Sequence, residues 1–270
     1  MASDSVTDSS SYNHPGAGIG ARATWGFKDL LIVIGLGIST ILLFGIIFVA
    51  PISSHFGKHS AEANFAVAVV SGGWELALAG LVYWRVRRSG GNGASLGLVG
   101  PYDVRDTPWR HIGWHGGWSV TKLAAWSICV YIASTMTVQI YVAIMKAVGA
   151  DALLPDAQLP TEVFDHWWVV VPFGLSVVFI APFCEEICFR GFAYGAFRRR
   201  DAVFASALAS GVLFSLAHGQ LGLILPFALV GAYFAYTYER TGTLFANMSV
   251  HFIFNAISFM VLILVPDARS

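Results

Sequence analysis

Apolar and polar positions in this chain fall into long blocks rather than short alternations. Uncharged or nearly uncharged runs cover Leu30 to Ala50, about Asn64 to Trp84, Leu123 to Met145, Trp167 to Cys184, Val203 to Ala217, Leu221 to Tyr238 and Leu244 to Val265. Most are long enough to cross the hydrocarbon core of a bilayer as a helix, which takes about 20 residues. The pattern predicts seven membrane-spanning helices. Residues 95–118 are mixed instead, with Trp109, Trp114 and Trp118 set among Arg105, Arg110, His111 and His115. That mixture predicts an amphipathic segment lying at the membrane interface, or a partial eighth span. His111 and His115 stand four apart, but no acid in helical register completes a metal site.

Composition sharpens this into a class. Apolar residues make up 56% of the chain and charged residues 12%, with a mean hydropathy of +0.65. A soluble domain carries about twice that charged fraction. The expected fold is therefore an all-α, polytopic membrane helical bundle of seven to eight transmembrane helices with its site inside the bundle. The net charge is zero and no basic tract is present, which leaves nothing to recruit nucleic acid. Cys129, Cys184 and Cys188 lie in or against apolar segments without a Cys-x-x-Cys pair, so they read as small core hydrophobes. Residues 1–27 are rich in Ser, Gly and Asp and lack a basic n-region with a short apolar core. They read as a disordered polar tail rather than a signal peptide. Three parts follow: the tail at 1–27, N-terminal membrane helices with the Trp-rich segment at 28–118, and a membrane core at 119–266.

Charge asymmetry orients the helices. With the N-terminus inside, the cytoplasmic segments hold Arg22, Lys28, Arg85, Arg87, Arg88, Arg105, Arg110, Lys122, Arg198, Arg199, Arg200 and Arg240. The opposite side holds Lys58, Lys146 and Arg269. Twelve against three is a positive-inside bias, and it predicts a cytoplasmic N-terminus in what is expected to be the plasma membrane.

Candidate chemistry sits where polar residues interrupt the apolar runs. At the end of the fourth run come Glu185 and Glu186, followed by Arg190. Ions at such a place need partners, water or neutralisation. A helix puts Glu186 and Arg190 on one face as a pair and turns Glu185 away from them. A juxtamembrane ion pair with a spare carboxylate would explain this stretch alone. Two further interruptions weigh against that: His218 closes the fifth run, and His251 and Asn255 share a face of the seventh, four residues apart. A carboxylate and two imidazoles brought together can activate water, directly or through a metal. An Asn amide and a His can stabilise a developing oxyanion. Glu75 is a further intramembrane acid, in the second span.

Glu-Glu-x-x-x-Arg at 185–190, Phe-x-x-x-His at 214–218 and His-x-x-x-Asn at 251–255, in that order on successive apolar helices, resemble the CAAX-protease and bacteriocin-processing (CPBP, or Abi) family. Its eukaryotic members are the type II CAAX prenyl endopeptidases. The resemblance covers roughly residues 120–265. It implies intramembrane proteolysis of a membrane-associated peptide or protein. Carried over by position, Glu185 with His218 would activate the attacking water, and His251 with Asn255 would line the oxyanion hole. Glu186 and Arg190 would be the supporting pair. The family is also described as metalloproteases, which would make Glu185, His218 and His251 ligands of a zinc ion. The expected cofactor is thus none, or zinc. The metal-free scheme gives the Asn255 amide a direct part, whereas a metal scheme leaves it behind the ligands.

Two other functions fit a polytopic bundle. A non-catalytic immunity or scaffold protein could keep the fold, but it has no reason to bury these polar groups. A transporter using Glu75 and Glu185 as proton sites would be expected to show repeats and broken helix pairs, and neither is visible.

Overall fold

The computed structural model describes residues 19–58, 60–98, 118–155, 161–198 and 202–265. Most of the Trp-rich segment, including Trp109, Trp114, His111 and His115, lies outside them, as do Arg199, Arg200 and Arg269. Among the described residues all the long elements are helices and none is a strand: α1 (Ile19–Arg22), α2 (Phe27–Phe56), α3 (Ala61–Arg88), α4 (Val120–Ala147), α5 (Trp167–Arg198), α6 (Val203–Ala217), α7 (Leu221–Thr241) and α8 (Leu244–Leu264). Six of these, α2 to α5, α7 and α8, are long and apolar enough to cross a membrane. This is a polytopic membrane helical bundle. The shorter α6 spans 15 residues, about 22 Å of helix, less than a full hydrocarbon core.

Three of the helices start at a side-chain cap. Ser60, Ser119 and Thr243 cap α3, α4 and α8 by accepting the backbone N–H of Ala63, Lys122 and Ala246. Gly242 ends α7 at φ 73°, a left-handed turn that glycine adopts without a Cβ penalty.

The central helix is α5, against which α3, α6, α7 and α8 all pack. The sequence pattern ended its apolar run at Cys184. The helix instead runs on unbroken to Arg198, so the glutamates lie well inside it rather than at its end. Continuity has a physical basis, because each charge in the extension finds a buried partner. At the far end Arg198 binds Glu239 through Nη2 at 3.0 Å, and the Tyr194 hydroxyl donates to the same carboxylate at 2.6 Å.

Two π-helical turns, Ser176–Ile180 and Glu186–Tyr194, widen α5. The first is followed directly by Ala181 and Pro182. In a π turn the Val177 carbonyl would accept from residue 182, and proline has no N–H to give.

α6 and α7 approach as closely as backbones can. A Cβ on Gly211 would lie 2.1 Å from the Ala228 carbonyl, and one on Gly231 would lie 2.7 Å from the Gly211 Cα. Small residues at such a crossing are the usual device for helix packing in lipid.

The polar tail was expected to run to residue 27, but residues 19–27 are seated in the fold. Trp25 is fully buried, stacks on Phe192 with centroids 5.6 Å apart, and donates its indole N–H to the Phe192 carbonyl at 2.9 Å. Residues 1–18 lie outside the described residues.

Candidate active site

The site is built on α5 and α8, with α6 and α7 supplying its aromatic walls. Glu186 is fully buried and binds three donors. Arg190 gives Nη1–H to Oε1 at 3.0 Å, His251 gives Nδ1–H to Oε1 at 2.8 Å, and Asn247 gives its amide to Oε2. Arg190 is fully buried too. Its second arm donates to the Gly231 carbonyl at 3.1 Å, and its guanidinium lies 4.6 Å from the Phe214 ring centre and 5.1 Å from that of Phe234. A buried charge persists when it is paired and its remaining hydrogen-bonding groups are met. Carboxylate, backbone carbonyl and ring faces meet the two terminal nitrogens of the guanidinium, while its Nε is buried without a hydrogen-bond partner among the described residues.

Adjacent residues on α5 have opposite surroundings. The Glu185 side chain is 23% exposed while that of Glu186 is 0%. Glu185 Oε2 lies 3.7 Å from His251 Nε2, so one imidazole stands between the two carboxylates. The ring is held flat against Phe234, centroids 4.3 Å apart and planes 23° from parallel. Because a carboxylate only accepts, the 2.8 Å contact fixes a proton on His251 Nδ1 and turns Nε2 towards Glu185.

His218 is placed differently. It is exposed at the end of α6, and its Nδ1 donates to the Phe214 carbonyl at 2.8 Å, which leaves Nε2 as the free nitrogen of the neutral ring. Phe214 separates the two imidazoles, with centroids 4.5 Å from His218 and 6.2 Å from His251. Position alone paired Glu185 with His218, whereas the ring beside Glu185 in the structure is that of His251.

Asn255 lies one turn beyond His251 and donates its amide to the Val177 carbonyl at 2.7 Å. This is the carbonyl that Pro182 cannot satisfy, so the amide closes the gap opened by the π turn. Asn255 therefore fastens α8 to the segment of α5 that precedes the glutamates.

Asn247 was not among the residues singled out from sequence. It stands four residues before His251, so Asn247, His251 and Asn255 form one polar line along α8. That four-residue repeat was the available signal.

The proposed zinc ligands do not come together as a binding set. Among the described residues no group of three or more His, Cys, Asp or Glu side chains is arranged to hold a metal ion. Of the three, His251 bonds Glu186 through Nδ1 and His218 bonds the Phe214 carbonyl through Nδ1, so each ring keeps Nε2 for other contacts.

A comparison with known protein families falls on the segment that holds the site. Residues 166–257 match a family profile described as type II CAAX prenyl endopeptidase Rce1-like. A Bacillus subtilis (strain 168) protein named as a candidate membrane peptidase, YdiL, is 30% identical over 91 residues, which cover 34% of this chain and 36% of that protein. The match thus spans about a third of the relative's length. No solved structure matches the chain.

Proposed function

We propose that the chain is an intramembrane endopeptidase, a reading supported by the match of residues 166–257 to the type II CAAX prenyl endopeptidase Rce1-like profile and by the similarity to a candidate membrane peptidase. Its substrate in this reading is a membrane-associated peptide or protein, cleaved by water without a bound metal. The observation that carries the reading is the single imidazole of His251 between Glu186 and Glu185, at 2.8 and 3.7 Å.

Each group then has a task that its surroundings suit. Glu185, the more exposed carboxylate, takes a proton from water as the oxygen adds to the scissile carbonyl carbon. That proton then passes to the leaving amine as the carbon–nitrogen bond breaks, so the carboxylate is regenerated. Glu186 does not react. Held by Arg190 and Asn247, it fixes the tautomer and orientation of His251, as the buried acid of a catalytic triad does for its histidine. His251, charged through Nε2–H, stabilises the oxyanion beside Glu185. The second N–H of Asn255 is the companion donor, and preorganised donors of this kind need no rearrangement as charge develops. His218, exposed at the mouth, positions water or the substrate backbone through Nε2.

The orientation that goes with this scheme is the one read from charge, with the N-terminus cytoplasmic. The test is cleavage of membrane-anchored peptides by purified protein in lipid vesicles, followed by mass spectrometry of the products. Cleavage abolished by Glu185→Gln supports the proposal. Absence of cleavage for wild-type protein across a diverse peptide set would favour a non-catalytic scaffold.

A further inference from the structure

Helix α3 carries a second intramembrane acid that the scheme above does not use. Ala68, Gly72, Ala79, Val82 and Val86 are all buried, and their spacings of four, seven, three and four residues trace one face of the helix. Glu75 falls on that same line, midway between Gly72 and Ala79. The face packs on α5. A Cβ on Gly72 would meet Ser176 Oγ at 3.3 Å and Ile180 Cδ1 at 3.4 Å, and the next stretch of α5 against α3 is Ala181–Glu185. Glu75, three residues on from Gly72 along this face, is thus carried towards the stretch of α5 that ends in Glu185. The thiols of Cys184 and Cys188 are the other titratable groups that feel Glu75.

Among the described residues, the carboxyl oxygen Oε2 of Glu75 is buried without a hydrogen-bond partner, and no arginine, lysine or histidine pairs with this acid. A buried carboxylate without a cation is costly. Two neighbouring carboxylates in a poorly solvated place cannot both ionise readily, and such pairs share one proton. The member next to a histidine, Glu185, is the one suited to carry the charge.

We propose that Glu75 is a positioning acid of the site, a neutral carboxylic acid that hydrogen-bonds towards Glu185 and aims its carboxylate at the attacking water. Glu75 keeps its own proton throughout, so it adds no step to the proton balance. The catalytic consequence rests on the proteolytic reading of Glu185. The protonation and the contact do not.

Infrared spectroscopy of the purified protein at neutral pH tests them without substrate. The wild type should show a carboxylic-acid C=O band that Glu75→Gln removes and that Glu185→Gln shifts, because the acceptor changes from a carboxylate to an amide. A band that persists in Glu75→Gln, or one that Glu185→Gln leaves unmoved, overturns the proposal whatever the substrate proves to be. In the peptide assay, Glu75→Gln retains a donor of the same shape and should stay within about tenfold of wild-type turnover. Glu75→Leu should lose about a hundredfold, the scale of a misplaced catalytic group. Wild-type turnover in a folded Glu75→Leu protein would equally overturn it.

Discussion

His251 donates its Nδ1–H to Glu186 across the α5–α8 contact at 2.8 Å, joining residues 65 positions apart in the chain. The carboxylate that holds the imidazole is therefore the buried neighbour of the candidate base, not the base itself. Two adjacent glutamates divide the work: one is locked by three donors, and the other is left partly open.

That division makes the two glutamates respond differently to the same substitution. Glu186→Gln strands Arg190 in a fully buried place, at a cost on the order of 3–5 kcal/mol. It should appear as lost yield and a lowered unfolding temperature in detergent. Because the loss comes from an unpaired charge, Glu186→Gln with Arg190→Met should recover much of the stability that the single change removes. A Glu186→Gln protein as stable as wild type would contradict the burial of this pair.

Asn247 offers a second probe of the same lock. Asn247→Leu removes a donor from Glu186 and leaves Oε2 unsatisfied, costing about 1–3 kcal/mol. Asn247→Asp places a second negative charge against Glu186 and should be worse still. Thermal unfolding of the two variants should rank them in that order.

The extent to which these contacts could be read from sequence follows from their range. Glu186 and Arg190 are four apart on one helix, so their pairing was visible in the spacing. The bundle itself was visible in the apolar blocks, because lipid demands long runs. The grip of Glu186 on His251 was not, since it depends on how α5 and α8 meet. Nor was the Asn255–Val177 bond, which exists because Pro182 withholds a donor one π turn along. Trp25 was read as part of the tail because its neighbours in sequence are polar and small, and only the packing onto Phe192 shows its place. The continuity of α5 past Cys184 was hidden for the same reason, as its charged residues find partners on α7 and α8.

Asn255 has two tasks that can be separated. Asn255→Ala orphans the Val177 carbonyl, a loss of about 1–3 kcal/mol in stability. If the remaining amide hydrogen also serves the oxyanion, turnover should fall about 10²–10³-fold with little change in substrate binding. Lowered stability with wild-type turnover would confine Asn255 to fastening α8 onto α5.

The charge asymmetry gives a topological prediction. With six long spans and α6 crossing as a short seventh, a reporter fused after Arg88 should read cytoplasmic and one fused after Ser270 extracytoplasmic. If α6 does not cross, or if residues 99–117 do, the C-terminal reading reverses while that at Arg88 stays.

The most direct test of water activation by Glu185 is cleavage of a membrane-anchored peptide by the purified protein in vesicles, with and without a strong chelator. The account predicts cleavage by wild type that the chelator leaves unchanged and that Glu185→Gln abolishes while the protein still folds and accumulates. Wild-type cleavage by Glu185→Gln would contradict it, and so would activity that the chelator removes and added zinc restores.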